Sequence, residues 1–399
     1  MSLSLSEKAK RVKPSSTLAI TAKAKEMKAN GIDVVGFGAG EPDFNTPENV
    51  CNAAIEAIKS GFTKYTPASG TSELKQAICK KLKEFNHLDY NENQIVISNG
   101  GKHSLSNIFD AILNPGDEVI IPAPFWLSYP EMVKLSDGIP VIIYGEKGQN
   151  YKVTPEQIEA AITDKTKAFM LNSPSNPTGM VYSKEELEAI AKVIVEQDIY
   201  IISDEIYEYL IYGDEKHVSI ASLNEEIYKR TITCSGLSKS YSMTGWRVGY
   251  TASSPEIAKL MGSIQSHATS NPNSIAQKAA LEALIGSQDT VEVMKQEFNK
   301  RRIYMFERMS KFPMIEIIEP KGAFYIFADI SEVLKKSYKE NQINDTQQLA
   351  KILLEDYAVA VVPCEDFGFS QNIRLSYAIS MESIISGLDR IENFLNILS

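Results

Sequence analysis

The chain has 399 residues, of which 41 are Lys or Arg and 51 Asp or Glu, giving a formal net charge of -10; 43% are hydrophobic and 23% charged. The acidic balance disfavours a general nucleic-acid binder, and no apolar run reaches the ~20 residues that span a bilayer. The polar start, MSLSLSEKAKRVKPSS, lacks the apolar segment of a secretory signal, so a cytoplasmic protein is expected.

Two domains are expected at this length, one of them assembled from separate stretches of chain. In chain order, Thr46-Pro47-Glu48 reads as a helix start, a cap residue followed by Pro and an acid. Short apolar runs follow at Gln94 to Ile97 and Glu118 to Ile121, each with the pattern of a strand buried on both faces. Thr154-Pro155-Glu156-Gln157 opens another helix, and Ala168 to Leu171 forms the next strand. Ser183-Lys184-Glu185-Glu186 opens a third helix, whose Leu187, Ile190 and Ile194 make one apolar stripe. Tyr200 to Ile202 and Arg230 to Thr233 are two more buried runs.

Buried strands alternating with amphipathic helices define an α/β class with a mainly parallel sheet covered on both faces. From Ser287 to Phe312 there is neither Gly nor Pro, and Met294, Phe298, Met305 and Met309 keep a helical stripe, so a long helix leaves the sheet here. The remainder, through IEIIEPKGAFYIFADI and AVAVVPCEDF, reads as a smaller α+β unit. The expected division is a large α/β domain over residues 46–290 and a small domain with an N-terminal arm from residues 1–45 and 291–399.

The unusual residues sit directly after the apolar runs: Asn99-Gly100-Gly101-Lys102, Pro122-Ala123-Pro124-Phe125-Trp126, NSPSNPTG from Asn172 to Gly179, Asp204-Glu205-Ile206-Tyr207, and Ser235 to Lys239. Singly, each has an ordinary reading as a turn, a cap, a solvated charge or a core aromatic. In open α/β sheets, however, ligands bind outside the carboxyl ends of the strands, so five loops point at one crevice. The two X-Pro bonds around Asn176 suit a rigid loop in which cis bonds are admitted.

Lys239 stands among small residues, where a planar electrophile can approach and a lysine can form a Schiff base with a carbonyl. Asp204, at a strand end, can hold a proton on a heteroaromatic nitrogen, while Tyr207 and Asn176 can hydrogen-bond a ring oxygen. The Gly100-Gly101 turn, Ser238 and Arg247 supply backbone N–H, hydroxyl and guanidinium donors for a phosphate. Aldehyde, pyridine nitrogen, phenolic oxygen and phosphate together describe pyridoxal 5'-phosphate.

From about Lys13 to its C-terminus the chain resembles a fold-type I, class I aminotransferase, closest to the bacterial branch of aspartate aminotransferases. The resemblance rests on Gly236-Leu237-Ser238-Lys239 continuing to Gly245-Trp246-Arg247-Val248-Gly249, on Gly38-Ala39-Gly40-Glu41-Pro42-Asp43-Phe44, and on Lys64-Tyr65. It rests equally on Asn176-Pro177-Thr178-Gly179, Asp204-Glu205-Ile206-Tyr207 and Asn372-Ile373-Arg374-Leu375-Ser376. It implies a seven-stranded-type sheet, Lys239 as the catalytic lysine that carries the cofactor, and Asp204 on the pyridinium nitrogen. Tyr207 and Asn176 would bind the ring oxygen, Trp126 would stack on the ring, and Gly101, the Lys102 backbone, Ser238 and Arg247 would hold the phosphate.

The same resemblance implies a homodimer in which Tyr65 reaches a phosphate in the neighbouring active site. It implies that Arg374 forks onto the substrate α-carboxylate, with Gly40 as a backbone contact and Trp126 and Asn176 beside the substrate. Lys102, helped by Ser15 and Thr17, would recognise an acidic side chain. The expected activity is ping-pong exchange of the amino group between L-aspartate, or a related acidic amino acid, and 2-oxoglutarate. Prephenate or aromatic aminotransferases and carbon–sulfur lyases of the same fold share the cofactor residues and stay open as alternatives. A cofactor-binding transcription regulator would carry an added N-terminal helix-turn-helix domain, and a nicotinamide dehydrogenase a GxGxxG after an early strand, which is missing here.

His87, His103, His217 and His267 are too dispersed to suggest a metal site or a hydrolase triad. Cys51, Cys79, Cys234 and Cys364 lack the spacing of a disulfide framework or zinc site and are expected as small buried apolar residues.

Overall fold

A computed structural model describes residues 4–12 and 16–399. The first eight strands in chain order are β1 (Val35–Gly36), β2 (Ile95–Ser98), β3 (Glu118–Ala123), β4 (Ile139–Tyr144), β5 (Thr166–Asn172), β6 (Tyr200–Asp204), β7 (Thr231–Gly236) and β8 (Gly249–Ala252). All but β1 form one seven-stranded sheet in the order β2-β8-β7-β6-β5-β3-β4. The five expected apolar runs are all present in it. Strands β3 to β7 pair in parallel, and β8 runs antiparallel to both β7 and β2.

Continuous apolar runs give strands buried on both faces because helices cover the sheet on both sides. Val119, Ile120 and Ile121 of β3 are each 0% exposed. Two strands lie outside the expected runs. β4 is a half-exposed edge strand holding Pro140, which the ladder tolerates only at an edge. β8 is four residues long and starts with Gly249, where a Cβ would meet the Gly101 backbone N at 2.4 Å.

Two of the three expected helix starts are reciprocal capping boxes. Thr154 accepts from the Gln157 N–H and Ser183 from the Glu186 N–H, and each N3 side chain returns the bond. The third is corrected: the helix Glu48–Lys59 has Pro47 at its N-cap and no side-chain cap. Thr46 instead donates to the Ser242 carbonyl at 2.7 Å and accepts from Trp246 Nε1 at 2.9 Å, tying the loop before this helix to the segment after Lys239.

The long helix runs Asp289–Met309 and buries the expected Met294, Phe298, Met305 and Met309. They pack on a second, antiparallel sheet in the order β14-β15-β10-β9. Its strands are β9 (Glu316–Ile317), β10 (Tyr325–Asp329), β14 (Val362–Pro363) and β15 (Asn372–Ser376). A hairpin of β11 (Ser337–Tyr338) and β12 (Asn341–Gln342) and the pairing of β1 with β13 (Val359–Ala360) complete the strands. Among the described residues no helix is long and apolar enough to cross a membrane. Cys234 and Cys364 are buried as expected; Cys51 and Cys79 are only half-buried, because they flank the apolar stripes of the helices Glu48–Lys59 and Ser72–Phe85.

Candidate active site

Parallel strands deliver their carboxyl ends to one edge, and β15 of the second sheet closes over it. A cavity of about 410 Å³ lies there. Its walls carry Gly40, Gly101, Lys102, Trp126, Asn176, Asp204, Tyr207, Ser238, Lys239, Arg247 and Arg374, so eleven of the sequence-derived residues converge on one space. Tyr65 is not among them and stands 89% exposed on the surface. Ser15 lies outside the described residues, and the described part of Thr17 is limited to the backbone of the helix Ser16–Ala29.

One end of the cavity is built for an anion. The helix Gly101–Ile112 starts behind Gly100, whose φ of +88° is costly for residues with a Cβ and whose missing side chain leaves the first N–H groups uncapped. A Cβ on Gly100 would lie 2.4 Å from Arg247 Nη2, so the glycine makes room for the guanidinium. Arg247 adopts a left-handed backbone (φ +57°) and donates to the Thr244 carbonyl at 2.9 Å. Uncapped N–H groups, the helix dipole and a guanidinium together favour a phosphate.

The middle of the cavity holds the acid and the amine. Asp204 ends β6; one carboxylate oxygen accepts from Tyr129 Oη at 2.7 Å and the other from the Ile206 N–H at 3.1 Å. Burial pushes its carboxyl up to about 6 against the pull of those two donors. Lys239 Nζ donates to the Gly40 carbonyl at 2.5 Å. Burial lowers its ammonium to about 8, with Glu41 opposing and Arg374 and Arg247 adding to the shift. An amine so placed is available as a neutral nucleophile or base near physiological pH.

At the other end Arg374 is 3% exposed. Its Nη1 donates to Asn176 Oδ1 at 2.9 Å and its Nη2 to the Gly38 carbonyl at 3.2 Å, while Nε has no partner among the described residues. Tyr325 and Phe367 cover its faces, with ring centroids 4.4 and 5.3 Å from Cζ. A buried cation met only by neutral acceptors calls for an anion. Lys102 Nζ, one residue into the helix at the anion end, lies 4.8 Å from the Trp126 ring centroid, and burial, followed by the Arg247 charge, lowers its ammonium.

Sequence reasoning missed Tyr129, Asn172 and Tyr325. Asn172 anchors the NSPSNPTG loop by accepting from the Asn176 N–H and donating to the Asp204 carbonyl. Ser173–Pro174 and Asn176–Pro177 are both cis, as that loop admitted. Tyr325 shares a 2.9 Å hydrogen bond with Tyr207 Oη. Tyr129 gave a faint signal, a polar aromatic three residues after Trp126; the two rings meet edge to face at 5.4 Å.

Because Tyr129 holds Asp204 as the anion, Tyr129→Phe is expected to raise the Asp204 carboxyl further. In the cofactor-free protein a raised carboxyl means the folded state binds more protons than the unfolded chain between pH 3.8 and about 6, so stability falls as pH rises across that window. In Tyr129→Phe the fall extends about one pH unit higher, the worth of one hydrogen bond to a charge. Thermal midpoints measured from pH 4 to 8 check this; superimposable curves would remove Tyr129 from this role.

An open α/β sheet with a nucleophilic lysine between an anion cradle and a second buried cation defines a group-transfer enzyme acting on small anionic substrates. The sequence matches the aminotransferase class I and II family over residues 32–391, and the chain belongs to that family. It is 51% identical to the aspartate aminotransferase of Bacillus sp. (strain YM-2), covering 98% of each chain. It is 47% identical to the aspartate/prephenate aminotransferase of Cereibacter sphaeroides, again over 98% of each. The solved aspartate aminotransferase of Rhizobium meliloti superimposes with a TM-score of 0.96 at 39% identity, covering 100% of both chains.

Proposed function

We propose that the protein is a pyridoxal 5'-phosphate-dependent aminotransferase that exchanges the amino group between L-aspartate and 2-oxoglutarate. The observation that carries this is the order of charges along one cavity: an anion cradle, the Asp204 carboxylate, the Lys239 amine, and the buried Arg374 with Nε free among the described residues. The residues present fit the cofactor. The space kept by Gly100 for Arg247 suits its phosphate, and the buried Asp204 suits a protonated ring nitrogen. When bound, pyridoxal 5'-phosphate supplies an aldehyde to accept the amino group and a ring that withdraws the electron pair left at the substrate Cα.

The chain's own groups do the rest. Arg374 binds the α-carboxylate through its planar fork and so fixes Cα beside Lys239. With the cofactor bound, the Lys239 amine would act as the general base that takes the proton from the substrate Cα and as the acid that gives it back. Asp204 would keep the ring nitrogen protonated, Tyr207 and Asn176 would donate to the ring oxygen, and Trp126 would cover the ring face. Gly101, the Lys102 backbone, Ser238 and Arg247 would hold the phosphate, and Gly40 would contribute its backbone at the carboxylate. Lys102, with Ser15 and Thr17, recognises the side-chain carboxylate.

Relatives named for aspartate at about half identity over the full chain support the acidic substrate. Relatives named for aspartate and prephenate keep a broader acceptor range in view. We read the active unit as a cytoplasmic homodimer in which the exposed Tyr65 meets the neighbouring site. Within it the chain divides into a large domain (46–290) and a small one (1–45 and 291–399). The deciding assay mixes the cofactor-loaded protein with aspartate and 2-oxoglutarate. Oxaloacetate and glutamate in equal amounts are expected. No oxaloacetate, with pyruvate and ammonia formed from cystathionine instead, would assign the lyase alternative.

A further inference from the structure

The segment leaving β6 turns with three residues per turn: the Glu208 N–H donates to the Glu205 carbonyl at 2.9 Å and the Leu210 N–H to the Tyr207 carbonyl at 2.8 Å. At that pitch residues three apart share a face. Asp204 and Tyr207 face the cavity. Glu205 and Glu208 face away from it, into a cluster that the mechanism does not use. Both are almost fully buried, at 1% and 3% exposure.

Every oxygen of the two carboxylates is occupied. Glu205 Oε1 accepts from Ser203 and Ser219 hydroxyls at 2.9 and 2.6 Å, and its Oε2 from Asn86 Nδ2 at 3.2 Å, with His217 Nε2 at 2.8 Å. Glu208 Oε1 meets Lys81 Nζ at 2.5 Å and the Ser235 hydroxyl at 2.8 Å, and its Oε2 accepts from Asn86 Nδ2 at 2.8 Å. The Lys81 ammonium, paired with Glu208, also donates to Asn86 Oδ1 at 2.8 Å. The rings of Phe85 and Tyr209, stacked at 4.4 Å, flank Lys81 with centroids 5.1 and 5.4 Å from Nζ.

The partners come from far along the chain: Lys81 from the helix Ser72–Phe85, Asn86 just beyond it, His217 and Ser219 from a loop, and Ser235 from β7. Two buried carboxylates thus hold the Asp204–Tyr207 turn against three separate elements, and a buried anion pair of this kind tolerates little movement. The Glu205 charge also opposes ionisation of Asp204, the adjacent residue.

We propose that Glu205 and Glu208 are positioning residues: through the turn they share with Asp204 and Tyr207, they set the two side chains that grip the cofactor ring. This rests on the functional reading above. The test uses full-length Glu205→Gln and Glu208→Gln, which keep shape but remove the charge and replace one acceptor oxygen with an NH2 donor. Circular dichroism verifies folding. The first readout is the affinity of cofactor-free protein for 4'-deoxypyridoxine 5'-phosphate, which lacks the aldehyde and so reports the grip without Lys239. A loss of at least about tenfold is expected in each variant, with kcat down by a similar factor and KM for aspartate within about threefold, as for disruption of a buried charge network. Glu205→Asp is expected to recover part of both.

If Glu205→Gln does not fold, His217→Gln, which leaves both carboxylates and Lys81 in place, is expected to weaken analogue binding by about threefold or more. Variants that melt earlier yet bind the analogue and turn over like the parent overturn the proposal and leave a purely structural cluster. A parent protein that binds neither the analogue nor pyridoxal 5'-phosphate overturns the functional reading along with it.

Discussion

Lys239→Ala is expected to lower transamination by at least about 10⁴-fold, since in the proposed function Lys239 is both the group that bonds the cofactor and the positioned base. The visible absorbance of the lysine-bound cofactor, which borohydride discharges in the parent, should be missing even when pyridoxal 5'-phosphate is held non-covalently. A second effect distinguishes this lysine from a surface one. With its ammonium lowered from 10.5 to about 8, the folded parent binds fewer protons than the unfolded chain between those pH values. Stability of the cofactor-free parent therefore rises as pH climbs from 8 to 10.5, and below pH 8 the buried charge is a standing cost. Lys239→Ala should lack that rise and should be no less stable than the parent at pH 7. Parallel pH–stability curves for the two proteins would mean that Lys239 is solvated, and retention of activity would remove it from the mechanism.

Arg374→Lys is expected to reduce kcat/KM by about 10²–10³-fold for every amino acid tested, the usual cost of breaking a buried, hydrogen-bonded charge contact. A point-charge ammonium cannot reproduce the planar fork. It would also leave Asn176 Oδ1 and the Gly38 carbonyl, now held by the two ends of the guanidinium, with one donor group between them. Because the α-carboxylate is common to all substrates, the loss should not depend on the side chain. Lys102→Ala is the counterpart: aspartate and glutamate should lose about 10- to 100-fold while aromatic amino acids are little changed, the worth of one charged contact to the distal carboxylate. A substrate panel run on both variants separates the roles. A side-chain-selective loss in Arg374→Lys, or a uniform one in Lys102→Ala, would reverse the assignment.

The parts of the fold that could be read from the chain are those whose physics is local. Capping boxes at Thr154 and Ser183 close within four residues, and runs such as Glu118 to Ile121 are continuous because a covered parallel sheet leaves them no polar face. Strands β4 and β8 escaped because one holds Pro140, which demotes an apolar run to an edge, and the other is a four-residue piece led by glycine. Thr46 looked like a cap by the same local logic. Its hydroxyl is instead engaged by Ser242 and Trp246, about two hundred positions away, and a long-range partner is invisible to spacing.

The candidate site divides the same way. Alone, the sequence determined five of the seven strands of the large sheet, two capped helix starts, and the loops that meet at the sheet's carboxyl edge, the segment from Ser235 to Arg247 among them. Those are consequences of short-range pattern and of the parallel topology it forces. Only the tertiary structure decided that Arg374 sits in the cavity bonded to Asn176, 198 positions earlier, with its Nε free of any described partner. It alone showed that Tyr129 holds Asp204 and that Glu205 and Glu208 face Lys81 and His217 on the other side of the turn. The physical reason is that the acidity of Lys239 and Asp204 follows from how much water and which charges surround them, and both are set by residues that only folding brings together.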